Sequence, residues 1–148
     1  MAQYLAKALA VVVLLNLSSA ALALGRADVV CPASFDPSAA PPTGWKRHDP
    51  QAGDGGLTNL EGVAIYTTSP ADGFAPLKPE NAPATSTSDT WYIARGPHSA
   101  GPMLYVACRY SGTASMLFQA LPPGLNECVA KRKIEPGQGL KVACNSRR

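Results

Sequence analysis

The chain is poor in the residues that usually carry chemistry. It has two histidines in 148 residues, His48, two residues before Pro50, and His98, just after Pro97. Hydrolysis by an activated serine needs a base within reach of the nucleophile, and no G-x-S-x-G elbow is present. No H-E-x-x-H pair is present to hold zinc. The cysteines are separated by 76, 19 and 15 residues, so none forms the close C-x-x-C pair of a metal knuckle. Carboxylates are sparse. Asp49 and Asp54, and Asp72 and Asp89, sit amid Pro, Gly and Ser in the turn contexts that Asp ordinarily occupies. No catalytic residue, metal site or cofactor is expected from this inventory, and the chain reads as a non-enzymatic protein.

Charge is also scarce at the start. Lys7 is the only charged residue before Arg26, and an apolar stretch rich in Ala, Val and Leu lies between them. A positive start, an apolar run and small residues at Ala21 and Ala23 match a secretory signal peptide. Residues 1–23 are therefore expected to be removed, leaving 24–148 as one domain in the periplasm or outside the cell. The competing reading, a single membrane anchor, lacks a stop-transfer cluster after the run. Export fits the cysteines. Cys31, Cys108, Cys128 and Cys144 all fall in the mature part, and an even count behind a signal reads as two disulfides.

No mature segment keeps a helical period. Residues 24–59 are Pro- and Gly-rich and are expected to be mostly coil, with a short strand at 28–31. Strands are expected at 62–68, 91–95, 103–110, 115–121, 127–134 and 139–144. In the third of these, Leu104, Val106, Cys108 and Tyr110 share one face. A long loop at 69–89 separates the first strand from the rest. The fold class is mainly β: an antiparallel sheet, as meander or small sandwich, stapled by disulfides. Trp91 and Tyr92 point to opposite faces of a strand. One is expected in the core, and the other is a candidate for an exposed platform with Tyr105 or Tyr66.

Several residues together resemble a known family. They are Cys31-Pro32 after the signal, Trp45 after Gly44, and Leu77-x-Pro79. Trp91, Cys108-x-Tyr110, Thr113, Leu121-Pro122, Cys128 and Cys144 complete the set. In order and spacing they are similar to small exported proteobacterial proteins named only after an enterobacterial locus tag. That resemblance implies a secretion signal and paired cysteines. It implies no activity, ligand or catalytic residue.

The mature chain carries 12 Lys and Arg against 10 Asp and Glu, too small an excess to suggest nucleic-acid binding. The excess is concentrated at the end. Lys131, Arg132, Lys133, Lys141, Arg147 and Arg148 stand against Glu135 alone from Cys128 onward. Lys131, Lys133, Lys141, Arg147 and Arg148 are the candidate binding residues, for an anionic envelope component or an acidic protein. The ordinary alternative is an edge strand kept soluble by charge. Alternation places Lys131 and Lys133 on one face and Arg132 on the other. Two functions follow: an envelope binding module, or an inhibitor of a hydrolase such as lysozyme acting through the 69–89 loop.

Four cysteines allow three pairings. A three-residue loop at Glu135-Pro136-Gly137 puts Ile134 opposite Gln138, and counting outward puts Cys128 opposite Cys144. Cys31 then takes Cys108 and pins the Pro-rich segment to the sheet. Cys108–Cys128 is the rival pairing.

Overall fold

The computed structural model describes residues 25–49, 56–80, 83–94 and 103–147. Nine strands are described: β1 (Arg26–Cys31), β2 (Ser34–Phe35), β3 (Lys46–His48), β4 (Thr58–Tyr66), β5 (Ser88–Tyr92), β6 (Tyr105–Tyr110), β7 (Met116–Ala120), β8 (Glu127–Lys131) and β9 (Leu140–Asn145). They form two antiparallel sheets, in the orders β1-β9-β8-β5 and β2-β4-β6-β7-β3. The segment expected to be mostly coil thus supplies three strands. Residues 1–23, expected to be a signal peptide, and His98, Asp54 and Arg148 lie outside the described residues.

Alternation decides which face each residue takes. In the four-stranded sheet, Val29, Trp91, Cys128 and Val142 turn inward; in the five-stranded sheet, Ile65, Val106, Cys108 and Leu117 do. Both sets join one buried cluster, so each sheet hides its apolar face against the other. Leu104, Val106, Cys108 and Tyr110 all belong to it, which is the face their alternation predicts.

The chain crosses between sheets at Cys31-Pro32. β1 ends opposite Leu140 of β9, and three residues later Ser34 is opposite Asn59 of β4. Pro32 suits this corner because it needs no ladder donor. The crossing is held by the Cys31–Cys108 disulfide, which ties β1 of one sheet to β6 of the other. A second disulfide joins Cys128 and Cys144, directly opposite in the β8–β9 pair. All four cysteines are fully buried.

The connection between β8 and β9 differs from the expected three-residue loop. Its tip is a β-turn with Gln138 N–H donating to the Glu135 carbonyl at 3.0 Å. Pro136 and Gly137 are its central residues, and Gly137 has φ of 72°, as the third position of a type II turn requires. The β8–β9 ladder ends at Ala130 and Val142, before the turn, while on its other side the chain stays beside β5, with Arg132 N–H donating to the Thr87 carbonyl at 2.9 Å. The Cys128–Cys144 register survives, because Ala130 still faces Val142.

Candidate interaction face

β-strand parity places three short rows on the outer face of the four-stranded sheet. Val30, Lys141, Lys131 and Ser88 lie toward the β8–β9 connection. Asp28, Ala143, Val129 and Thr90 cross the middle, and Arg26, Asn145, Glu127 and Tyr92 lie at the far end. At the centre of the middle row stand two small apolar side chains, Val129 and Ala143. A concavity of ≈ 350 Å³ opens over it, with Val129 and Ala143 in its floor. Ile134 and Glu135 of the connection form one wall, and Lys131, Lys133 and Lys141 rim it. Val30, 58 % exposed, extends the apolar surface to the β1 edge.

The three lysines are held to different degrees. Lys141 Nζ lies 2.9 Å from Asp28 Oδ2, and Lys133 Nζ lies 3.3 Å from Glu135 Oε1. Among the described residues, Lys131 has no ion pair. Lys141, and then Arg26, hold the Asp28 carboxyl below its ordinary range. These pairs are solvent-exposed, so they bind each other weakly and can exchange for a partner's carboxylate at little cost.

The four candidate cations among the described residues do not form one patch. Lys131, Lys133 and Lys141 share the concavity. Arg147 lies at the other end of the sheet. Its Nε sits 3.1 Å from Glu127 Oε2, and its guanidinium rests over the Tyr92 ring at 5.5 Å. The Asn126 side chain clamps the Arg147 backbone, accepting from its N–H at 2.6 Å and donating to its carbonyl at 3.0 Å. A signal for this separation is present in the sequence. Arg147 follows Lys141 by six residues, and at about 3.3 Å per residue a strand carries it roughly 20 Å away.

Arg132, of opposite parity, faces away from the lysines and works as a fastener. Its Nε is 2.6 Å from Asp89 Oδ1, and its guanidinium donates to the carbonyls of Pro83 and Ser86. The 69–89 segment is consequently less free than its composition suggests. Leu77 N–H donates to the Ile65 carbonyl at 2.7 Å, the Trp91 indole N–H to the Leu77 carbonyl at 3.2 Å, and Glu80 N–H to the Thr90 carbonyl at 2.8 Å. Between Pro70, which is buried, and the tethered Leu77, residues 71–76 are all exposed.

The aromatic platform does not assemble. Trp91 is buried and Tyr92 is half-exposed, but Tyr66 and Tyr105 belong to the other sheet, opposite each other in β4 and β6. Tyr92 meets Arg147 instead. His48 lies in β3, where it faces Met116 of β7, and Asp49 pairs with Arg47. Among the described residues, no three His, Cys, Asp or Glu side chains gather in a group able to hold a metal ion. No helix of those residues is long and apolar enough to cross a membrane.

No curated protein and no solved structure matches the chain. A family model does match, over residues 53–145, a span that includes β4 to β9, the Lys131–Lys133–Lys141 concavity and three of the four cysteines. That span is more than half of the sequence, and the chain belongs to the type VI secretion system Tli immunity protein family.

Proposed function

We propose that the mature protein is an exported, non-enzymatic immunity protein that neutralises a type VI effector in the periplasm by binding it. The family match carries this reading. It favours a protein partner over an anionic envelope polymer, and an inhibitor over a general binding module. The outer face of the four-stranded sheet is the docking surface that the geometry supports best. An apolar floor ringed by cations resembles the core and rim of a protein interface. Those cations select a partner with an acidic surface, steer its approach and disfavour a cationic target such as lysozyme.

The test is protection. Each type VI effector of the source strain is directed to the periplasm of a sensitive host, with and without this protein. Growth should be restored for one of them, and the purified pair should form a complex in titration calorimetry. Failure to protect against, or to bind, any of the effectors would sink the proposal.

A further inference from the structure

We infer that the turn 70–76 is a pre-formed plug whose Phe74 enters an apolar cleft on the effector. The inference rests on the immunity reading and adds a second contact to the basic face. It begins from how the chain passes from β4 to β5. Leu77 and Glu80 are tied by backbone hydrogen bonds, and Pro83 and Ser86 are held by Arg132. What projects is Ala71 to Pro76, and all six of these residues are exposed.

The projection is ordered by its own bonds. Ser69 caps a 3-10 turn over Pro70–Asp72: its Oγ accepts from Ala71 N–H at 3.3 Å, and its carbonyl accepts from Asp72 N–H at 2.9 Å. Gly73 closes the turn in the left-handed region at φ 77°, with its N–H donating to the Pro70 carbonyl at 3.3 Å. Pro70 is buried and roots the turn, and the Leu77 carbonyl is gripped by the core residue Trp91. A loop ordered in advance loses little further freedom on binding.

The tip is apolar without serving the fold. Phe74 is 62 % exposed, and Ala71, Ala75 and Pro76 are exposed around it. The one charge there, Asp72, makes no ion pair among the described residues. A narrow convex tip of this kind fits a concave partner, and aromatic residues, Phe among them, are enriched at the buried core of interfaces. The occupant's chemistry follows: an apolar cleft wide enough for a phenyl ring, with a cation or amide donors at its lip for Asp72.

The experiment uses the effector against which the wild-type protein protects. Phe74→Ala, Gly73→Ala and Leu57→Ala are compared by titration and by protection. Leu57 is 74 % exposed just before β4, at the opposite end of that strand from the turn, and serves as the control. Phe74→Ala should keep the thermal midpoint and weaken binding by about 30-fold or more. Gly73→Ala, which strains the turn, should also weaken it, and Leu57→Ala should not. Wild-type binding with Phe74→Ala within about twofold would overturn the plug and leave the immunity reading intact. So would a Phe74-dependent association with phosphatidylglycerol vesicles while effector binding is unchanged. A wild-type protein that binds no effector overturns the immunity reading itself.

Discussion

Gly139 passes Cys31 so closely that a Cβ on the glycine would lie 2.5 Å from the Cys31 carbonyl oxygen and 3.0 Å from Val30 Cγ1. The contact falls where the connection after β8 re-enters the sheet as β9, against the end of β1. The obstructing atom is backbone beside a disulfide, so it cannot swing aside as a side-chain end would. Gly139→Ala is expected to push β1 and β9 apart at this corner. A loss of about 1–3 kcal/mol, typical of overpacking, should appear in urea denaturation. An unchanged midpoint would show that the corner is looser than its geometry.

The two disulfides should differ in what their removal costs. Cys31–Cys108 spans 77 residues and joins the sheets, whereas Cys128–Cys144 spans 16 and lies within one sheet. Chain entropy gives about 4.5 kcal/mol for the longer loop and about 3 kcal/mol for the shorter. The double variant Cys31→Ala, Cys108→Ala is therefore expected to be the less stable of the two double-alanine proteins. Denaturation of both at equal protein concentration checks the order, and equal losses would argue against the entropic account.

Charge reversal tests the basic face without touching the core. Lys131 and Lys141 stand on the exposed face, and their strands bury the alternate residues. Lys131→Glu with Lys141→Glu should leave the fold intact, weaken effector binding by at least tenfold and flatten its salt dependence, since exposed charges are screened within about 10 Å at 0.1 M. Asp28→Asn should act in the opposite sense, because it releases Lys141 from its intramolecular carboxylate. If both variants bind as the wild type does, the effector docks elsewhere.

The strand parity was legible where a strand turns alternate apolar residues toward the core. Val106, Cys108 and Tyr110 could not be shifted by one residue without moving the core to solvent. Cys128 was placed opposite Cys144 by counting outward from a three-residue loop, and the pairing holds although the turn is a different one. The turn that closes that hairpin was not legible. Pro136-Gly137 forms a two-residue turn of a type that suits a tight hairpin poorly, and the chain leading into it is held on its other side by a bond from Arg132 to Thr87, 45 positions earlier. Nothing local announces such a partner. β3 was hidden for a related reason. Lys46–His48 has no apolar alternation, and it becomes a strand by pairing with β7, with Arg47 donating to the carbonyls of Pro37 and Ala39. The basic residues were legible as a set, but their division between the two ends of a sheet required counting along β9. The long loop was visible as a gap between strands. That the six residues Ala71 to Pro76 stand exposed between buried Pro70 and tethered Leu77 shows only in the tertiary bonds.

Tyr110 should govern the alkaline limit of stability. It is 2 % exposed, its ring lies 5.3 Å from that of Phe35, and its hydroxyl donates to the Pro32 carbonyl at 3.1 Å. Burial pushes its pKa well above the ordinary value of 10.0. Burial also raises Tyr66, with Arg109 acting in the opposite sense. A raised folded-state pKa means that the stabilising contribution is complete below the unfolded value. It is lost as pH climbs from about 10 toward the folded value, because the unfolded chain ionises first. Tyr110→Phe removes both the hydrogen bond and this titration. At pH 8 the variant should be less stable by about 1 kcal/mol, the usual worth of one hydrogen bond. Above pH 10 the wild type should lose up to about 1.4 kcal/mol per pH unit that the variant does not. The two stability curves are therefore expected to converge and cross between pH 10 and 11 in urea titrations. Curves that stay parallel over that range would mean that the hydroxyl reaches water in the folded protein and that the Pro32 bond is not closed.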